Sequence, residues 1–519
     1  MPYDAARLMQ SLSNGEHGNY ESQSINQYVE RFNICADKDW SERQAKLYIY
    51  KLFQKGRVYD NLKPWFEEYT EGSYTPLAHR KPSVIYNMPK IIVDDSVAML
   101  FGEEHFPTVR CDDEKTMEYL QYVTRDCGLR YSMLAAAREG AIGSVCIIVK
   151  VLNSKFYFDV LSTINLEPIF DVMCPDKLIR LVERKKVLGE ILVSRGYEID
   201  ERYLKRAFWL VREWNDYSEI YYLPFLVDDD AATYEIDNER SSEHNLGFVP
   251  AVWIKNSADT VHCDGMCTFE PAIDISIELN YQLSQLGRLY RYSSDPTMVV
   301  KNPSVLEGQQ LVKGSGVLQL DENGDAYMVE MKGGGAHGVL EYARCLREFA
   351  IESVRGNRAN PDKLSAIHSG KALQMLNAPL ISLVDELRLC YGDFGLLKIY
   401  EMILDIEASG QVLLDYKKYS VGNAELAKQT LRLDWPQWYP PTPQDDLQES
   451  QTLQTYIANG VLSRKTALSN IADQYGVIDE KKELTEIDKD GMNAENANKQ
   501  AESSKNSPNN GGSGKKGDE

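Results

Sequence analysis

The chain has 519 residues, with 57 Lys and Arg against 78 Asp and Glu, a formal net charge of −21; so acidic a chain repels nucleic acid on average, and any contact with it needs local basic groups. Hydrophobic residues make up 43% and charged residues 26%, a globular composition long enough for two to four structural regions, and no apolar run approaches the ~18 to 20 residues that span a bilayer. The cysteines, nine and scattered, fit reduced thiols and not a disulfide framework.

Met1 to about Leu77 reads as mainly helical, and the opening MPYDAARLMQSLSNGEHGNY has no basic segment followed by an apolar core, so no secretion signal is expected. In SERQAKLYIYKLFQKG, Ser41 stands at an N-cap and Ala45, Tyr48, Ile49, Leu52 and Phe53 gather on one side before Gly56. RKPSVIYNMPKIIVDDSVAMLFGEEHFPTV predicts an amphipathic helix opened by Pro89, faced by Ile92, Val93, Val97 and Leu100, and closed at Gly102. Its neighbours Asp94 and Asp95 point about 100° apart and do not converge as a catalytic pair.

From about Gly143 to Ile254 the pattern turns to short β-rich runs, VCIIVKVL, KFYFDVL, AFWLVREW, EIYYLPFLV, ATYEI and VPAVWIKN, divided by turn and charge clusters as in an antiparallel sheet. Asp228, Asp229 and Asp230 read as a solvated turn at a strand end. FEPAIDISIELNYQLSQLGRLYRY returns to helix, with Pro271 in the first turn and Ile275, Leu279, Leu283, Leu286 and Tyr290 in one stripe. Ser293 to Gly335 breaks into short strands and glycine-rich turns, with Glu322 to Asp325 as a hairpin turn. Gly338 to Val354 forms a second helix with Val339, Tyr342, Leu346 and Phe349 as its apolar seam and Glu341, Arg344, Glu348 and Arg355 on the other side.

Beyond NRANPDKLSAIHSG, Asn357 to Gly370, a third and longer helical stretch is expected, kinked near Pro379 or Gly392. LRLDW reads as a strand, the prolines of PQWYPPTPQDD mark a boundary, and a short helical bundle follows, with Gly460 ending one helix and Ser463 capping the next. Asn493 to Glu519 holds no Val, Ile, Leu, Met or aromatic residue and is expected to be disordered.

Catalytic signatures fail on spacing. Ser369-Gly370-Lys371 lacks a phosphate loop's upstream Gly, where Ser365 stands, and its hydroxyl after the Lys, where Ala372 stands. Gly333 to Gly338 spells G-x-G-x-x-G between a strand and a helix, but no second parallel strand follows to complete a dinucleotide-binding unit. VHCDGMC groups His262, Cys263 and Cys267 without a second pair at zinc spacing, and DENGD lacks the distal Glu of a calcium loop. No cofactor, metal site or catalytic residue is expected. The alternative is a metal-dependent nucleic-acid-processing enzyme using Asp94, Asp95, Asp228 and Asp230, which would have to converge on paired divalent ions.

The order of these segments resembles the portal proteins of tailed bacteriophages. YNMPKIIVDDSVAMLFGE is similar to the family's early helix leading into the wing, LGFVPAVWIKN to the segment before the first stem helix, and FEPAIDISIELNYQLSQLGRLYRYSSDPTMVV to that stem helix entering the clip. SGKALQML resembles the start of the long helix after the tunnel loop and ANGVLSRKTAL the helical start of the crown, so the likeness runs from about Arg80 to Asp488. It implies an α+β portal fold: N-terminal region and wing over 1–262, first stem helix 263–292, small α/β clip 293–336, second stem helix 337–356, tunnel loop 357–370, long wing helix 371–407, return strand 408–436, helical crown 437–492 and a disordered tail 493–519.

The resemblance also implies a non-enzymatic homo-oligomeric ring, usually a dodecamer, at the portal vertex of the virion capsid, assembled in the host cytoplasm. Duplex DNA passes through it, packaged by the large terminase subunit and later ejected. The expected partners are major capsid and scaffolding proteins and a head-completion or adaptor protein, with no membrane. On this reading Arg355, Arg358, Lys363, His368 and Lys371 make transient phosphate contacts around the tunnel loop, and Glu341, Glu348 and Glu352 keep the lumen repulsive.

Overall fold

A computed structural model describes residues 19–35, 37, 39–70, 72–152, 155–228, 234–257, 263–294, 297–303, 320–329, 334–356, 374–409, 430–439, 443–471 and 482–489. The chain divides into two units, Met1–Leu364 with Gln374–Trp438, and Ser365–Leu373 with Tyr439–Glu519. Helix outweighs strand, 50% to 19%, and every strand pair in the sheets is antiparallel, so the fold is α+β as expected.

The first unit opens with α1 (Asn19–Phe32) and α2 (Glu42–Gln54). Ser41 and Gln44 form a reciprocal capping box at the start of α2, which satisfies two amide donors that the helix cannot. The expectation of helix as far as Leu77 is corrected: after α2 the chain runs through turns and the short hairpin of β1 (Tyr69–Thr70) and β2 (Ser73–Tyr74). Asn87 caps α3 (Met88–Phe101), with Pro89 in its first turn and Gly102 ending it, and Ile92, Val93, Val97 and Leu100 are buried. After β3 (Thr108–Arg110) come two helices that the sequence reading missed, α4 (Glu114–Asp126), capped by Asp113, and α5 (Leu129–Gly140).

The β region begins with β4 (Ser144–Leu152), flanked by β5 (Lys155–Ser162) and, much later, β12 (Ala251–Lys255). Val145 to Val149 are all buried because both faces of β4 are covered. Val145, Ile147 and Val149 join the main core, while Cys146 and Ile148 face a second cluster around Leu166, Leu181 and Trp214. A larger sheet runs in the order β11-β9-β8-β7-β6 with β10 added to β8. Its strands are β6 (Leu166–Phe170), β7 (Leu178–Leu188), β8 (Ala207–Trp214), β9 (Ser218–Tyr221), β10 (Phe225–Leu226) and β11 (Ser242–Glu243), with the short α6 (Gly189–Ser194) between β7 and β8.

The expected strand ATYEI is corrected to a single bridge, Ile236 to Tyr222, with 229–233 outside the described residues. Conversely β7, LIRLVERKKVL, reads as a charged stretch yet lies inside the sheet, because its charges pair across strands. Glu183 meets Arg212 of β8 at 2.8 Å and Arg180 meets Glu213 of β8 at 2.6 Å, while Lys185 of the same strand adds to Glu183 at 2.6 Å.

A helix pair follows. The turn Glu270–Ala272, holding Pro271, leads into α7 (Ile273–Ser294); β13 (Thr297–Pro303) pairs with β14 (Leu320–Val329); α8 (Gly334–Ser353) returns. Glu322 to Asp325 is not a hairpin turn. Asp325 is already paired with Lys301, and the residues before it fall where the register slips between Lys301 and Pro303, so the polar run makes a bulge. α9 (Ala378–Leu387) opens at Pro379 and is not kinked by it, Arg388–Leu396 is π-helical, and α10 (Leu397–Ala408) continues the rod. Gly392 gives the π turn room: a Cβ there would lie 2.7 Å from Trp435. β15 (Arg432–Asp434) pairs with β3.

In the second unit α11 (Pro443–Ala458) and α12 (Arg464–Ile471) are separated at Gly460, in left-handed conformation (φ 68), and Ser463 Oγ accepts from Thr466 N at 3.2 Å, the cap expected of it. The tail 493–519 lies outside the described residues.

Polar contacts fix the approach to α7. Arg43 of α2 grips Asp264 with Nε and Nη2 at 2.5 and 2.9 Å and donates to the carbonyls of Leu166 and Thr163, while Ser144 Oγ donates to the same carboxylate. Gly265 crosses the backbone of Asn256 and Ser257 where a Cβ would collide. Asn256 Nδ2 donates to Met266 O and Thr268 Oγ1, and Tyr391 Oη donates to Asn256 Oδ1 at 3.0 Å. Because removing one partner strands the other, Asp264→Ala should lower unfolding stability by about 3 kcal/mol in urea denaturation, far more than an exposed-pair variant such as Arg202→Ala.

Candidate functional site

The candidate site is the outer surface of α8 and the junction at its end. α8 packs inward through Ala336, Ala343, Leu346, Ala350 and Val354, all buried. This corrects the expected seam of Val339, Tyr342, Leu346 and Phe349: Tyr342 is 46% and Phe349 55% exposed. Apolar spacing favoured the bulkier side chains, but alanine lets the helix backbone approach its neighbours more closely, and the alanine face wins.

At 100° per residue Glu341, Glu348 and Glu352 fall within about 40° of one another, on the side away from that buried face. All three are exposed, so the structure brings them together as one acidic stripe. Arg344 bonds Glu341 at 2.6 Å from the neighbouring row. The pair is exposed and contributes little stability, though it screens one of the three charges.

Arg355 ends the helix in a conformation that favours glycine, with φ 55. Gly356 N donates to Ile351 O at 2.8 Å and Arg355 N to Glu352 O at 3.2 Å, the paired bonds of a Schellman turn. The Arg355 guanidinium reaches Glu386 of α9 at 3.8 Å, and Glu386 accepts from Ser257 Oγ. The other expected basic residues, Arg358, Lys363, His368 and Lys371, lie outside the described residues, so a basic cluster around Arg355 is not on view.

The carboxylates of the enzymatic alternative are spread over separate places. Asp94 lies 3.4 Å from Arg138, Asp228 is paired with Arg206 at 2.6 Å, and Asp230 is outside the described residues. Burial, then the neighbouring Asp94, push the Asp95 carboxyl up, with Arg347 acting against them. Among the described residues no three His, Cys, Asp or Glu side chains stand close enough to hold a metal ion. Cys263 is half-buried and Cys267 buried, burial pushes both thiols up, and His262 is not described. Sequence reasoning missed Asp264, Asn256, Glu386 and Tyr391. Only the glycine beside Asp264 signalled a tight backbone crossing.

Relief of left-handed strain should make Arg355→Gly more stable than Arg355→Ala by about 1 kcal/mol in denaturant titrations. Asp95 has a carboxyl pKa raised on folding, so the folded state binds its proton more tightly and stability falls as pH rises through that value. Asp95→Asn should therefore raise the melting temperature at pH 7 and lose that advantage below the unfolded carboxylate value near ~3.9, as read in thermal unfolding across pH.

Residues 57–496 match the family model described as phage portal protein, SPP1 Gp6-like. No individually curated protein matches the chain. No described helix is long and apolar enough to cross a membrane, and the family is structural, located at the virion's capsid vertex as an oligomer. The match spans most of the chain and takes in α3, the sheets, the α7–α8 pair and the π-helical rod, so the chain belongs to the phage portal protein family.

Proposed function

We propose that this chain forms a ring of twelve subunits at one capsid vertex, a non-enzymatic conduit through which duplex DNA is packaged by the terminase motor and later ejected. The carrying observation is the acidic stripe of Glu341, Glu348 and Glu352 on a helix whose opposite face is buried in the protein's own core. A 20-residue helix is about 30 Å long, and duplex DNA presents roughly 18 phosphates over that distance. Carboxylates lining a channel repel the duplex from the wall. Few contacts then have to break at each step of sliding.

In this reading 1–262 forms the N-terminal region and wing, α7 and α8 are the stem, and 293–336 is the clip that meets terminase during packaging and head-completion or adaptor proteins afterwards. Residues 357–370 form the tunnel loop, where Arg358, Lys363 and His368, with Arg355 before it and Lys371 after it, touch phosphates in passing. The π-interrupted rod belongs to the wing and 437–492 to the crown. Capsid and scaffolding proteins surround the ring during assembly in the host cytoplasm.

Negatively stained images of the purified chain should show rings with a central hole. A particle that stays monomeric over a wide range of concentration and salt would overturn the reading. Shortening 357–370 should leave the rings intact and reduce the DNA packaged per particle, and unimpaired packaging would remove the tunnel-loop assignment.

A further inference from the structure

We infer that Tyr342, Cys345 and Phe349 form the flank of α8 that a second copy of this chain covers, an assignment that rests on the portal reading above. Tyr342 and Phe349 are half exposed and Cys345 is exposed, so three apolar side chains stand in a row on a helix whose core face is already filled by alanines. Such a row on a surface calls for a partner. By helical position Tyr342 and Phe349 lie roughly 80° to 100° from the centre of the glutamate stripe, with Cys345 between the two rows, so the aromatic side chains and the glutamates look in different directions.

The neighbouring carboxylates exclude DNA as the occupant of the aromatic row, because a polyanion brought against it would also meet Glu341, Glu348 and Glu352. A second copy fits better. In a closed ring every contact is heterologous, so each subunit needs one patch on one flank and its complement on the other. Arg344, which bonds Glu341 of its own helix, and Arg347, which acts on Asp95 of α3, are both exposed and stand roughly 160° round α8 from the aromatic row. Guanidinium groups and aromatic faces attract, most strongly once water is excluded, so the basic flank of one copy complements the aromatic flank of the next. The same helix thereby carries a core face, an acidic face and two unlike lateral faces.

The test uses full-length protein and maleimide labelling with peptide mapping to read Cys345 alone. Phe349→Glu places a carboxylate in the lateral row and should shift assembly in light scattering to at least about tenfold higher concentration, with the helical signal and melting temperature of the unassembled chain unchanged. Tyr342→Ser serves as a second, smaller perturbation in the same direction. Cys345 should label at least about tenfold more slowly in wild-type rings than in the dissociated Phe349→Glu chain. Rings in which Cys345 labels as fast as in the dissociated chain would overturn this assignment alone, as would assembly of both variants at wild-type concentrations. A wild-type chain that never assembles would instead overturn the portal reading beneath it.

Discussion

The structure hangs on a polar crossing just before α7. There the segment carrying Asp264 and Gly265 passes under the end of β12, and no apolar contact would define its position so closely. Gly265 N and Asn256 N both donate to Gly143 O, and Thr268 N donates to Ala141 O, so three stretches distant in sequence share one short length of backbone. Arg43 adds the charge-assisted bonds that bring α2 and the β5–β6 connection to the same point. Hydrophobic burial supplies most of the cohesion around it, but burial is non-directional. The hydrogen bonds determine where the helix pair leaves the sheets.

From that point α8 is free to distribute its faces. Alanines on the inside keep it close to the core without using the bulky side chains, which then remain for the surface. The glutamates and aromatics occupy separate rows, so charge and apolar area do not interfere. At its end, the left-handed conformation of Arg355 costs about 1 kcal/mol that glycine would avoid. In return, arginine places there a cation close to Glu386, which glycine could not supply.

Local signals were legible where a residue acts on its own neighbours. Ser41, Pro89, Gly102, Gly460 and Ser463 mark helix ends by short-range chemistry, and the apolar run of β4 reads as a strand. Legibility failed where the meaning of a residue depends on a distant one. The charges of β7 look solvent-facing until Arg212 is placed opposite Glu183; the cysteines of VHCDGMC draw attention that belongs to Asp264, whose partner lies over two hundred residues earlier; and Ala343 and Ala350 look weaker than Tyr342 and Phe349 until closeness of approach decides the packing. Of the site, the acidic row was readable from helical spacing, whereas the direction of the aromatic row was not. The basic residues from Arg358 to Lys371 remain a reading of sequence.

The π-helical turn explains how one rod serves both ends of this arrangement. Within a few residues Glu386 meets Ser257 and Arg355, Arg388 lies between the rings of Trp435 and Trp438, Tyr391 reaches Asn256, and Gly392 admits Trp435. Burial pushes the Arg388 guanidinium down to about 10, with Asp385 opposing, so it is still protonated at neutral pH, and the tryptophan faces supply much of its stabilisation. Wider π winding changes the angle between successive residues and lets side chains close in sequence point to sites that a regular α-helix would not reach together. The junction with α8, the crossing before α7 and the returning strand β15 are therefore tied to one short stretch of helix.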